Sequence, residues 1–141
     1  MTSQNGSEPV VLETNGQTGM PPLVRIRHWV GSTLSGVADD HLSAVMLVCT
    51  ELVTNAYEHA DRPDQIRLWH TLTPCRVRVE VDDGVPEPPV PGASRLGDHR
   101  GRGMILVDKL ADWGVHPTAA GKTVWAEIAC DQRGIVRCPG D

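Results

Sequence analysis

The sequence lacks the long apolar run that would place the chain in a membrane. A transmembrane helix needs about 20 consecutive apolar residues, and no such run occurs among the 141 residues. The first residues also lack the charged-then-apolar order of a signal peptide. We therefore expect a cytoplasmic protein with no membrane partner.

Phenylalanine is absent and lysine is scarce, with 2 lysines against 11 arginines and a net charge of −5. An acidic chain has little attraction for a phosphate backbone, so we expect no direct binding to nucleic acid. The four cysteines form no Cys-x-x-Cys pair and have no histidine at metal-ligand spacing. This pattern favours reduced thiols over a zinc site or a disulfide framework.

The length is sufficient for one domain with its own core. Residues 1–9 are rich in polar and small residues, which predicts a disordered N-terminal tail, and residues 131–141 predict a loose C-terminal tail. The domain is therefore expected at residues 10–130. Within it, the patterns predict a short edge strand at 10–12, a helix to about 34, and a second helix that Pro63 prevents from continuing.

Alternation of apolar and polar residues predicts strands at 65–72, 76–83 and 123–128, the last preceded by a hairpin from 113–117. In the second strand three valines share one face, and parity assigns Asp83 to the same face. An acid at the end of a core-facing row is a candidate acceptor for a ligand's hydrogen-bond donor. The alternative is an Asx turn, because Asp83-Gly84 is a strong turn pair.

The second helix carries a polar row beside its apolar stripe. Glu51, Asn55 and His59 are each four residues apart, so they lie along one side of the helix. Polar groups at the edge of a buried stripe are costly unless they are satisfied. Either Glu51 pairs with an arginine and His59 bonds a backbone carbonyl, or Asn55 offers an oxygen to a hard cation while Glu51 accepts a proton.

A long segment without periodicity, residues 85–103, ends at Gly101-Arg102-Gly103 before a helix predicted at 104–111. Such loops in a compact domain are usually functional lids or disordered segments. Glycines before a helix N-terminus suit a close approach by phosphate, although a lone Gly-x-Gly is weak evidence. Gly121-Lys122-Thr123 is not a P-loop, because the preceding glycine spacing is missing and a strand follows.

Four motifs in order resemble the GHKL ATP-binding superfamily: Glu51-Leu-Val-Thr-Asn55-Ala, Val81-x-Asp83, Gly101-x-Gly103-Met-x-Leu-Val and Gly121-Lys-Thr123-Val-Trp. Within it, the chain is most similar to the small anti-sigma-factor serine kinases and their actinobacterial single-domain relatives, over about residues 20–130. The resemblance implies an α/β two-layer sandwich of the Bergerat type. Its sheet would be mixed but mainly antiparallel, with helices on one face and an ATP lid.

The resemblance also implies roles for individual residues. Asn55 would ligate the Mg²⁺ that bridges the ATP phosphates, and Glu51 would be the catalytic general base. Asp83 would accept from the adenine amino group with support from Thr123, and Asp82 is the alternative to Asp83. The other expected cofactor contacts come from the helix end, the lid and the helix after it: His59, Gly84, Arg100, Gly101, Arg102, Gly103 and Met104.

The function implied is that of an ATP-binding regulatory protein, a serine/threonine protein kinase that phosphorylates a small antagonist (anti-anti-sigma) protein and binds a sigma factor. The alternative is a nucleotide-gated protein-binding switch without significant kinase activity. Two departures favour it: Glu58 stands where relatives commonly carry Lys or Arg, and the segment after Asp83 lacks the later glycines of an Asp-x-Gly-x-Gly box. The sequence leaves open which sigma factor is bound and whether the chain forms a homodimer.

Overall fold

A computed structural model describes residues 9–13, 23–34, 36–60, 63–72, 75–84 and 98–129. Only the backbone is described at residues 58–60, 63–64, 72 and 98–103. The predicted tails, apart from Pro9, and residues 85–97 of the predicted lid segment at 85–103 lie outside these ranges.

The described residues form five strands and three helices. The sheet has the order β1-β2-β3-β5-β4, and each pair of neighbouring strands is antiparallel. The predicted two-layer α/β sandwich is confirmed, but the described sheet is wholly antiparallel and not mixed. The elements are β1 (Val10–Glu13), α1 (Leu23–Thr33), α2 (Asp39–Ala60), β2 (Pro63–Leu72), β3 (Cys75–Asp83), α3 (Asp98–Leu110), β4 (Asp112–Thr118) and β5 (Gly121–Ala129).

The core lies between the helices and one face of the sheet. Alternate residues of the central strands point into it, as the alternation predicts, and the opposite residues form the outer face of the sheet. The buried apolar residues of the strands include Ile66, Leu68, Val77, Val79, Val81, Val124, Ala126 and Ile128.

Helix α2 is the central helix, because it contacts α1, α3 and three strands. The predicted apolar stripe is confirmed at Val45, Cys49 and Val53, which are fully buried. Val48 and Leu52 are also buried, although they lie outside the predicted stripe. A helix with neighbours on several sides buries more of its circumference than one stripe.

The cysteine prediction is right for one residue and wrong for another. Cys49 is a free thiol in the core, and burial raises its pKa to about 12. Cys75, the first residue of β3, is disulfide-bonded. Short-range spacing rules test for metal sites and redox pairs, so they do not exclude a bond between cysteines that are distant in sequence.

Helix α3 begins at Asp98, six residues earlier than the sequence predicts. Gly101 and Gly103 therefore lie inside the helix and not in a loop before it. Two glycines and a run of charges are poor helix signals, but the helix is anchored by Met104 and Val107, which are buried in the core. Tertiary packing overrides local propensity here. Within the described residues, no helix combines the length and apolar character that crossing a bilayer requires.

Candidate nucleotide-binding site

The adjoining ends of β3 and β5 bring a buried acid and a buried lysine together. Asp83 and Lys122 are directly paired across the two strands. The Lys122 Nζ donates to Asp83 Oδ1 at 2.9 Å, and each side chain is only 1% exposed. Asp83 shares its face with the three buried valines, so the parity prediction is confirmed. The result is an adjacent acceptor and cationic donor on the face that the helices cover.

Gly121 holds these strand ends in close contact. A Cβ at this position would lie 2.2 Å from the Asp83 carbonyl oxygen and 2.6 Å from the carbonyl carbon of Gly84. Its φ of +157° is also a conformation that side-chain-bearing residues rarely adopt. Only glycine fits, and its absence of a side chain allows β5 to begin directly against the end of β3.

Thr123 and Asp82 lie on the opposite, outer face of the sheet. The Thr123 hydroxyl donates to Asp82 Oδ1 at 2.6 Å, and Arg67 donates to both Asp82 oxygens at 2.6 and 2.7 Å. Thr123 therefore makes no direct side-chain contact with Asp83, because successive residues of a strand point to opposite faces, and its support of the adenine contact stays a prediction. Lys122 contacts Asp83 instead.

The same network sets the charge state of Asp82. Burial by itself raises the pKa of this carboxyl, but hydrogen bonds from Arg67 and Thr123 outweigh burial and hold the pKa below its ordinary value. Asp82 is thus an ionised partner of Arg67 on the outer face. Of the two aspartates, only Asp83 faces the helices.

The polar row of α2 is present, with Glu51 half-buried and Asn55 7% exposed. No side-chain hydrogen bond of Asn55 is found among the described residues. A largely buried amide normally has a partner, because desolvating it without one is costly. Asn55 is therefore a good candidate for contacting a ligand. The side chain of His59, one turn further on, lies outside the described part.

The predicted phosphate contacts need correction at the helix that follows the lid. Because α3 starts at Asp98, the N–H groups of its first turn precede Met104, which is the seventh residue of the helix. The Met104 side chain is 2% exposed and belongs to the core. Gly101 and Gly103 are helical, and the side chains of Arg100 and Arg102 lie outside the described part.

Gly84 follows Asp83 at the exposed end of β3. A Cβ there would meet its nearest neighbour, the Ala120 carbonyl oxygen, at 3.8 Å, which is an ordinary contact. The structure therefore gives no steric reason for glycine at this position.

Magnesium fits the chemistry of Asn55, whose amide oxygen is the kind of hard ligand that this ion takes. Among the described residues, no group of three or more His, Cys, Asp or Glu side chains could hold a metal ion. A magnesium ion at Asn55 would therefore take its other ligands from phosphate oxygens and water, which is its usual mode of binding.

A cavity of about 200 Å³ lies on the outer face, lined by Trp69, Thr71, Arg76, Arg78 and Glu127. The outer residues of β2, β3 and β5 form it, on the side of the sheet away from Asp83 and Asn55. Its arginines are engaged with acids, since Arg78 donates to Glu80 at 2.8 Å and to Glu127 at 2.7 Å. The cavity is separate from the residues that the sequence assigns to nucleotide binding.

The profile of the histidine kinase-like ATPase domain matches residues 21–128. This match covers most of the chain, so the chain belongs to the histidine kinase-like ATPase domain family. The resemblance to the GHKL superfamily is confirmed at this level, and family membership implies ATP binding and a regulatory, kinase-like domain. Membership of the family does not distinguish the anti-sigma-factor subtype.

Two solved structures from Erythrobacter litoralis are similar to the chain. The histidine kinase domain of the EL346 blue-light-activated histidine kinase is 25% identical with a TM-score of 0.49, covering 79% of this chain and 60% of that one. A second structure of the EL346 kinase gives the same identity and TM-score, covering 75% of this chain and 40% of that one. The chain thus spans less than two thirds of either structure. No curated protein matches it significantly.

Lys122 is the site residue that the sequence reasoning missed. In β5, Val124, Ala126 and Ile128 form the buried row, and Lys122 continues that row toward Gly121. The parity argument that placed Asp83 on the inner face would have placed Lys122 there too. Within Gly121-Lys122-Thr123, the resemblance implies a role for Thr123 and none for Lys122.

Proposed function

We propose that the chain is an ATP-dependent serine/threonine protein kinase that phosphorylates a small antagonist protein, with a sigma factor as a second partner and the cytoplasm as its location. Family membership supports the ATP-binding part of this proposal. The observation that carries it further is Asp83, a buried acid on the sheet face that α2 covers, with the largely buried Asn55 on that helix.

In this proposal Asp83 accepts a hydrogen bond from the adenine amino group, and Asn55 holds Mg²⁺ at the phosphates. Magnesium held there would neutralise part of the phosphate charge. Glu51, one turn before Asn55, takes the proton of the substrate serine as the serine oxygen bonds to the γ-phosphorus and ADP leaves. Since proton acceptance is one part of phosphoryl transfer, most of the acceleration would come from positioning and electrostatics.

One observation favours the alternative, a nucleotide-gated switch that binds protein partners without transferring phosphate. Asp83 is already engaged by Lys122 at 2.9 Å. The ammonium lowers the negative charge that the adenine amino group meets, so the single contact with Asp83 is weaker than one with a carboxylate that has no cationic partner. A switch tolerates weak or slow nucleotide binding better than a kinase does.

Replacing Glu51 by Gln separates the kinase from the switch. We expect Glu51→Gln to bind Mg·ATP within about twofold of the wild type and to transfer phosphate to a candidate antagonist at least about 100-fold more slowly. Transfer is measured with labelled ATP, and Glu13→Gln, at the exposed edge strand, is the matched control. Equal transfer by both proteins would remove Glu51 from the mechanism. Nucleotide binding by the wild type with no transfer would support the switch.

Replacing Asn55 by Ala tests the proposed magnesium ligand. Calorimetric titration of the wild type with ATP should show tighter binding when Mg²⁺ is present. We expect Asn55→Ala to lose most of that metal-dependent gain while its metal-free affinity changes little, because the amide oxygen acts through the ion. Thr54→Ala is the neighbouring control. A full magnesium effect in Asn55→Ala would contradict the assignment.

A further inference from the structure

Lys122 extends the proposed function from nucleotide binding to the choice of base. We propose that Lys122 is a second base-reading residue, and that the Lys122–Asp83 pair accepts 6-oxopurines as well as 6-aminopurines. This inference depends on the proposed nucleotide site at Asp83. It is carried by the 2.9 Å contact between Lys122 Nζ and Asp83 Oδ1 and by the 1% exposure of both side chains.

The chemistry follows from what each group can do. An ionised carboxylate only accepts hydrogen bonds, so alone it favours the amino group of adenine and repels a 6-oxo group. An ammonium only donates, through three N–H groups. Adenine presents an amino donor beside a ring-nitrogen acceptor, and hypoxanthine presents an oxo acceptor beside an N–H donor. The pair offers a partner to each group on both edges, Asp83 to the donor and Lys122 to the acceptor. Because the donor and the acceptor exchange places between the two bases, the Lys122 ammonium lies on opposite sides of the Asp83 carboxylate in the two complexes.

The burial of the pair makes a mismatch with the edge of the base costly. Gly121 abuts the backbone of Asp83 and Gly84, so the strand ends that carry the two groups have little freedom to separate. In a buried site, a ligand group that fails to match leaves a polar group desolvated and unmatched, which is costly. A pocket with the acid alone would therefore discriminate strongly between the two kinds of purine.

The chain offers a matched control, because its only other lysine, Lys109, is exposed near the end of α3. The experiment displaces a fluorescent ATP analogue from the purified chain with Mg·ATP or Mg·ITP. We compare the ratio of the two dissociation constants in the wild type, Lys122→Met and Lys109→Met. Partial unfolding of a variant lowers the apparent affinity for ATP and for ITP equally, so it leaves the ratio of the two dissociation constants unchanged.

We expect ATP and ITP to bind the wild type and Lys109→Met within about tenfold of each other, and the ITP/ATP ratio to rise about tenfold or more in Lys122→Met. An unchanged ratio in Lys122→Met would overturn the inference while leaving ATP binding intact. Failure of ITP to bind the wild type, with ATP still bound, would also overturn the inference. Binding of neither nucleotide by the folded wild type would overturn the proposed function as well.

Removing Lys122 leaves Asp83 buried without its cationic partner, which destabilises the fold. If Lys122→Met does not fold, the wild type provides the test with 1-deaza-ATP, in which the ring nitrogen beside the amino group is replaced by CH. We expect this analogue to bind about tenfold more weakly than ATP, because it offers Lys122 no acceptor. Equal binding of the two nucleotides would overturn the inference.

Discussion

Asp82 and Asp83 are adjacent in the sequence, and the pleat of β3 sends them into different environments. Asp82 joins Arg67 and Thr123 on the outer face, while Asp83 joins Lys122 on the inner face. Both carboxylates have cationic partners, but only the inner pair is almost completely removed from water. The outer pair contributes chiefly to stability, and the inner pair is placed for recognition.

The lowered pKa of Asp82 predicts a specific loss of stability in acid. Because the folded-state pKa lies below the ordinary value of 3.8, the stability from this carboxylate is fully present above that value and is lost as pH falls through the lowered pKa. We expect Asp82→Asn to be less stable than the wild type at neutral pH. The difference should shrink below about pH 4.

The measurement is urea unfolding of the wild type and Asp82→Asn from pH 7 down to the acid limit of folding. In Arg67→Met the free energy of unfolding should fall less steeply as the pH is lowered below about 4, because Arg67 is the main cationic partner of Asp82. Stability curves that stay parallel over the whole range would show that the ion pair does not lower the pKa of Asp82.

At the level of single residues, the sequence predicts which face a strand residue occupies but not its partner. Alternation in β3 placed Asp83 correctly, and the same rule applied to β5 would have found Lys122. The contact between them depends on the register between β3 and β5, which lie far apart in the chain. Alternation restricts that register to steps of two residues, and packing across the sheet decides which step is adopted.

Among the elements, the joined ends of β3 and β5 determine the geometry of the candidate site. Gly121 and Gly84 lie in contact there. A Cβ at Gly121 would clash with the backbone, whereas a Cβ at Gly84 would make only an ordinary contact. A substitution at each therefore separates the effect of the close approach from the general effect of replacing glycine.

We expect Gly121→Ala to lower the free energy of unfolding by about 2–3 kcal/mol, because backbone atoms at 2.2–2.7 Å must move to admit the methyl group. Gly84→Ala should change it by less than about 0.5 kcal/mol. Chemical denaturation of both variants measures the difference. Equal stability of the two proteins would contradict the close packing of the strand ends.

The start of α3 is less predictable from the sequence than the ends of the other helices. The end of α2 was correct, because Pro63 prevents the helix from continuing, and the observed end at Ala60 agrees. The start of α3 was six residues too late, because Gly101 and Gly103 resemble a phosphate-binding turn. What stabilises that helix is contact with α2 and β4, which depends on the assembled fold.

On the scale of the whole molecule, the sheet separates two surfaces of different chemistry. The inner face is mostly apolar, with Asp83 and Lys122 at the adjoining ends of β3 and β5 and His70 on β2. The outer face carries a charge network across β2, β3 and β5, and Arg78 also lies 4.7 Å above the Trp125 ring. Alternation predicts that such faces exist, but the strand order that assembles them depends on long-range pairing.

The most direct test of nucleotide binding on the inner face is calorimetric titration of Asp83→Asn and Asp82→Asn with Mg·ATP, each checked for folding by circular dichroism. The account predicts that Asp82→Asn binds as the wild type does and that Asp83→Asn binds at least about tenfold more weakly, since a buried charge-assisted hydrogen bond is lost. The opposite ranking, or a folded wild type that binds no adenine nucleotide, would contradict it.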